Sequence, residues 1–169
     1  MELISEGISL SGTIKEIIEG NRRPVLISVC GGTSTGKTSW VSRQIKEIIG
    51  DEPCLMVELD NFQKGKVSKY HYKSIYGHDT PEYFELEECI QAIQKLKDGE
   101  EADIPIYDFK LGKQTGNRKV IAKPVIIFEG LFAAYGKLGS LADLIIIKLL
   151  NYLIIKLKNN GKRSSKKSR

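Results

Sequence analysis

Two glycines frame a lysine and a hydroxyl residue in Gly31-Gly32-Thr33-Ser34-Thr35-Gly36-Lys37-Thr38, directly after the apolar run Pro24–Cys30. The pattern Gly31-x-x-x-x-Gly36-Lys37-Thr38 suits a polyanion. Its glycines let consecutive backbone N–H groups turn inward on phosphate oxygens, and a following helix adds the positive end of its dipole. Lys37 is expected to reach the β- and γ-phosphates of a nucleoside triphosphate, with Thr38 as a ligand of Mg2+. Two carboxylates close apolar runs elsewhere: Asp60 ends Cys54–Asp60, and Glu129 stands at the end of Pro124–Gly130. A carboxylate against an acceptor hydroxyl can take its proton, and Mg2+ takes oxygen ligands. Asp60 is the candidate base and Glu129 the candidate metal ligand, although residue type alone allows the two roles to be exchanged.

The elements that must position these groups follow from hydrophobic periodicity. Val25–Val29, Cys54–Asp60 and Pro124–Gly130 read as buried strands, and Val41–Ile49 carries apolar residues at helical spacing. Thr13–Gly20 reads as a short helix ending at glycine. Asn61–Asp79 is polar, dense in lysine and tyrosine, and long enough to suggest a binding loop. Thr80 as N-cap and Pro81 at the first helical position predict a helix from there to the turn at Asp98-Gly99. The segments DIPIYDF and RKVIAK predict a pair of short strands around a turn at Thr115-Gly116-Asn117. Strand, helix, strand, helix, strand at this spacing predicts an α/β fold with a parallel sheet flanked by helices, in which ligands bind beyond the carboxyl ends of the strands.

Composition bounds the reading. The chain has 169 residues, 41% of them hydrophobic, which suits one globular domain. Its start has no basic segment ahead of an apolar stretch, so the expectation is a cytoplasmic protein. Cys30, Cys54 and Cys89 are dispersed, odd in number and without paired spacing, which predicts reduced core thiols and neither a disulfide framework nor a zinc site. Eight of the 26 basic residues follow Asp143, while all 21 acidic residues lie within the first 143 positions. The body is therefore mildly acidic, and the net charge of +5 does not argue for a nucleic-acid partner. Leu144–Leu157 is apolar but short and interrupted by lysine, so no membrane span is expected.

The motifs GGTSTGKT, LDNF (Leu59–Phe62), DTPEYFE (Asp79–Glu85), PIYDF (Pro105–Phe109) and VIIFEGLFA (Val125–Ala133) follow one another in that order. In this the chain resembles the uridine kinase and phosphoribulokinase family of P-loop kinases over roughly Leu26 to Asp143. The resemblance implies a P-loop kinase α/β sandwich that uses ATP and Mg2+ to phosphorylate a hydroxyl of a nucleoside-like small molecule, with uridine or cytidine as first candidates. It makes Asp60 the catalytic base, Glu129 the residue that assists the metal, Asp79 the holder of the acceptor's ribose hydroxyls and Tyr107 part of the acceptor pocket. A homo-oligomer is compatible with it.

Two departures qualify the match. Gly112 stands where the uridine-cytidine members carry a base-reading histidine, which leaves open another sugar-like alcohol as acceptor. Residues 1–143 read as the kinase core, with a peripheral helix within 1–23. Residues 144–169 read as an apolar, then basic tail that replaces the family's arginine-rich lid helix, the pattern of a truncation or a reading-frame change. The alternative to an active kinase is accordingly an inactive nucleotide-binding remnant that lacks its lid.

Overall fold

The computed structural model describes residues 10–32, 43–65, 79–148 and 153–157. Two elements begin the described chain: helix α1 (Leu10–Gly20) and strand β1 (Val25–Cys30). Helix α2 (Arg43–Ile49) and strand β2 (Cys54–Glu58) follow. Next come α3 (Leu86–Lys97), the antiparallel strands β3 (Glu101–Asp108) and β4 (Lys113–Ile121), and β5 (Val125–Glu129). The described chain closes with α4 (Gly136–Leu141), β6 (Leu144–Lys148) and β7 (Leu153–Leu157).

The main sheet has the order β2-β5-β1-β6-β7. Its first four strands run parallel, and β7 turns back antiparallel to β6. β1 and β5 are buried along their whole length, as their unbroken apolar sequences require of strands covered on both faces. Alternation along the strands divides the core in two. Leu26, Val57, Ile126 and Phe128 pack toward Cys89, Ile93, Leu96 and Leu138 of α3 and α4. Val25, Ile27, Val29, Ile127 and Ile146 pack toward Ile14 of α1 and Ile45 of α2. Each fully buried aliphatic side chain of this kind contributes about 1.5–3 kcal/mol of transfer free energy.

The run from Leu144, apolar enough to raise the question of a membrane segment, supplies two strands of this sheet, with Leu144 and Ile146 in the core. Among the described residues no helix is long and apolar enough to cross a membrane. The three cysteines are free and buried.

Local signals explain the helix ends. α1 stops at Gly20, where the Asn21 side-chain amide donates to the Ile17 carbonyl at 2.7 Å. α3 carries Glu87 and Glu88 in its first turn and Lys95 and Lys97 in its last, matching the helix dipole. Its C-cap is Asp98, and Gly99 just beyond takes a left-handed φ of +87°.

Two sequence expectations are corrected. The helix predicted from Thr80 is two elements: Pro81–Tyr83 forms a single 3-10 turn, Thr80 makes no side-chain cap bond, and α3 begins at Leu86. The reason lies in Phe84, which is extended and bridges Gln63, while Glu85 N–H donates to the Phe62 carbonyl at 2.8 Å. Tertiary pairing therefore overrides the helix signal at that point. The hairpin turn is likewise not at Thr115-Gly116-Asn117. It falls before Lys113, where the Asp108 carboxylate accepts from the N–H groups of Lys110 and Leu111 at 2.8 and 2.9 Å, and Gly112 takes φ +65°. Thr115 instead sits in β4 where the register shifts, between Gln114 opposite Tyr107 and Gly116 opposite Ile106. Glycine in a strand marks a bulge as readily as a turn.

One polar junction fastens the amino edge of the sheet. The Asp143 carboxylate accepts from Leu26 N–H at 2.9 Å and from Lys97 Nζ at 2.8 Å, and Asp143 N–H donates to the Leu26 carbonyl at 2.9 Å. Lys97 also donates to the Leu141 carbonyl. Both charged side chains are about 15% exposed. Asp143→Ala is expected to cost about 3–5 kcal/mol in urea unfolding, because it strands a desolvated ammonium and a strand N–H together. A loss below about 1 kcal/mol would show the pair to be effectively solvated.

Candidate functional site

The strand ends converge at the carboxyl edge. Val29 of β1 is opposite Glu129 of β5, and Glu129 is opposite Glu58 of β2. Parallel partners point to the same face, so Glu129 and Glu58 share the face of Val29, on which α2 packs. β1 runs directly into Gly31 and Gly32, so the first two residues of the glycine-rich loop leave the sheet beside Glu129. Thr33, Ser34, Thr35, Gly36, Lys37 and Thr38 lie outside the described residues.

β2 is followed by a 3-10 turn, Leu59–Phe62, which lifts Asp60 into solvent while Leu59 and Phe62 are buried beneath it. The junction is tight. A Cβ on Gly130, just after Glu129, would stand 2.5 Å from the Leu59 Cβ, so only glycine allows the two strand ends to come this close. Glu129 is 5% exposed and Glu58 is half-buried. Desolvation raises the Glu58 pKa above the usual carboxylate range, and the charges of Glu129 and Asp60 raise it further. Arg118 of β4 and the Asn61 amide act in the opposite sense. Three carboxylates thus meet at this edge.

Asp60 and Glu129 were visible in the sequence as residues ending apolar runs, whereas Glu58 was not singled out. Its signal was a carboxylate inside the run Cys54–Asp60, two positions before Asp60. Among the described residues no group of three carboxylate, histidine or cysteine side chains is arranged to hold a metal ion, so the three carboxylates do not by themselves form a cation site. Of the two expected metal ligands, Glu129 lies buried at the end of β5 and Thr38 lies outside the described residues.

Tyr107 is buried on β3 at the bulge, in edge contact with Phe109, its ring centroid 5.1 Å away. The Tyr83 phenol hydrogen-bonds Tyr107, and burial together with this bond holds the Tyr83 pKa above its usual range. Asp79 is exposed just ahead of the Pro81–Tyr83 turn. β3, which carries Tyr107, packs against the Leu59–Phe62 turn that carries Asp60.

Glu58 supplies a pH test. A carboxyl whose folded-state pKa is raised favours the fold when protonated, and that contribution is lost as pH rises through the folded value. Glu58→Gln is expected to raise the thermal midpoint at neutral pH, with the gain over the parent vanishing below about pH 4, where the parent's carboxyl is protonated in both states. A gain that persists unchanged in acid would place its origin outside the carboxylate cluster.

The profile of the Phosphoribulokinase / Uridine kinase family matches residues 26–158. A uridine/cytidine kinase of Arabidopsis thaliana, UKL1, chloroplastic, is 32% identical over 131 residues, covering 76% of this chain and 27% of the relative. A uridine kinase of Clostridium novyi is 29% identical over 152 residues, covering 83% of this chain and 72% of the relative. The chain spans about a quarter of the length of the plant relatives. Among solved structures, a possible uridine kinase from Bacillus stearothermophilus superposes with TM-score 0.64 at 14% identity, covering 80% of each chain. Phosphoribulokinase from Rhodobacter spheroides gives 0.60 at 21% identity, covering 75% of this chain and 51% of the other. At these identities the two superpositions speak for the fold, a parallel sheet flanked by helices as in P-loop kinases. With the profile spanning more than half its length, the chain belongs to the phosphoribulokinase and uridine kinase family.

Proposed function

We propose that the protein is a phosphotransferase that moves the γ-phosphoryl group of ATP to a hydroxyl of a nucleoside-like small molecule, uridine and cytidine being the first acceptors to test. The observation that carries this reading is the shared edge at which Gly31, Glu129 and Asp60 leave three adjacent strands. In this reading Gly31 to Thr38 cradle the phosphates, with Lys37 on the β- and γ-oxygens. Mg2+, held by Thr38 and Glu129, would supply charge neutralisation at the phosphates. Asp79 binds the acceptor's vicinal hydroxyls and Tyr107 lines its pocket.

Asp60 suits the base because it is exposed at the strand end, where an acceptor hydroxyl can reach it, whereas Glu129 is buried beside the loop. The acceptor oxygen forms a bond to the γ-phosphorus as the bond to the β-bridging oxygen breaks. The hydroxyl proton passes to Asp60, and ADP leaves. Gly112, in the hairpin turn, offers no side chain to read a pyrimidine, and this favours a second acceptor class, another sugar-like alcohol, within the same chemistry.

The test is ADP release with and without uridine or cytidine, together with identification of the phosphorylated product. Lys37→Ala is expected to abolish ATP binding or turnover, since the charge aimed at the β- and γ-phosphates is gone; unchanged ATP affinity and turnover would sink the phosphate-loop assignment. Asp60→Asn is expected to spare ATP binding and lower transfer by about 10²–10⁴-fold, the usual contribution of a positioned base. Transfer at near the parent rate would remove Asp60 from the role.

A further inference from the structure

The β3–β4 hairpin carries Tyr107, and the segment after β2 carries Asp60. The two meet along a seam. The Asn61 side chain lies on it, with its oxygen accepting from Tyr107 N–H at 3.4 Å and its nitrogen donating to Glu58 Oε2 at 3.5 Å. That N–H is available because β3 and β4 form a two-stranded sheet, which leaves one edge of β3 without a strand beside it. The register slips between Ile106 and Tyr107, and β3 at this point faces the Leu59–Phe62 turn in place of another strand. Two further contacts continue the seam: Gln114 Nε2 donates to the Gln63 carbonyl at 3.3 Å, and Gly65, at φ +88°, is so close to the hairpin turn that a Cβ there would stand 3.0 Å from the Gly112 carbonyl oxygen. Asn61 differs from these in reaching both ways, into the hairpin and back to a strand-end carboxylate.

We propose that Asn61 is a positioning residue, a latch that joins the hairpin at Tyr107 to Glu58 and thereby sets the acceptor-lining side of the site at a fixed distance from Asp60. The role rests on the kinase reading for its consequence in activity, and on geometry alone for the latch. Asn61 follows Asp60 directly, so any slip of the hairpin relative to Asn61 is a slip relative to the proposed base. An aliphatic residue here would leave the Tyr107 N–H without its acceptor. Glutamine is too long for both bonds, and aspartate alone would meet Glu58 as a like charge.

Amide hydrogen exchange tests the latch without any substrate. In Asn61→Ala, exchange at Tyr107 and its hairpin neighbours is expected to quicken by about tenfold or more, as loss of one hydrogen bond allows, while amides of β1 and β5 keep their parent rates. In the kinetic arm the acceptor KM rises by about five- to tenfold with the ATP KM unchanged. The double change Glu58→Gln with Asn61→Asp reverses the polarity of the pair and keeps both bonds, so it restores hairpin protection and the acceptor KM, and it also serves if the alanine variant fails to fold. Unchanged exchange at Tyr107, acceleration spread equally over β1 and β5, or acceptor and ATP KM values moving together would each overturn the proposal. So would failure of the double change to restore protection. If the parent protein transfers phosphate to no acceptor, the kinase reading falls, and the latch is then decided by exchange alone, with selective hairpin deprotection supporting it.

Discussion

Parallel strands held in one register end together, and the arrangement of this chain at its carboxyl edge follows from that constraint. β1, β5 and β2 pair residue for residue from Val25, Val125 and Cys54 onward. Their ends are therefore nearly level: Val29, Glu129 and Glu58 stand side by side, and β1 runs on through Cys30 into Gly31. A slip of one residue on β2 or β5 would turn its carboxylate to the opposite face, the one on which α3 packs. The apolar faces of the strands enforce the register, and so the core, more than any bond within the edge itself, places the polar groups.

The edge carries electrostatic strain as a result. Three carboxylates act on one another where desolvation is already partial, and the strand ends approach so closely that a Cβ at Gly130 would collide with Leu59. Nothing of this helps the fold. The stability this repulsion costs is offset by the hydrophobic layers beneath and by the Asp143 junction at the far edge. The hairpin, held together by its own ladder, is tied to the segment after β2 by the Asn61 side chain and by the bond of Gln114 to the Gln63 carbonyl.

How much of this was legible depended on whether the signal was local. The apolar runs ending in Asp60 and Glu129 declared both the strands and the carboxylates, because a fully buried parallel strand reads as an uninterrupted run. Glu58 escaped notice because a single acid inside such a run looks like a surface position of β2, and only the pairing with Glu129 reveals its company. Phe84 shows the reverse error: Thr80 and Pro81 are sound helix-start residues, but a backbone pairing with Gln63, decided by tertiary contact, stops the helix after one turn. Gly116 and Gly112 are equally good turn residues in isolation. Asp108, whose carboxylate accepts from the N–H groups of Lys110 and Leu111, decides between them.

The strand order also has a bearing on how the chain comes to be folded at all. β1 lies at the centre of the sheet, yet its two neighbours, β5 and β6, begin about a hundred residues later, and the bond between Leu26 and Asp143 spans 117 positions. Closing so long a loop costs only about 0.6 kcal/mol per doubling of its length, so the native state hardly feels it. Synthesis does. At about 5–20 residues per second, β1 emerges roughly 5–20 seconds before a strand exists to cover either edge. During that interval α3 and the β3–β4 hairpin, whose contacts are local, can assemble, while Val25–Cys30 waits as an apolar segment with open backbone on both sides, the part of the nascent chain most in need of a chaperone's cover.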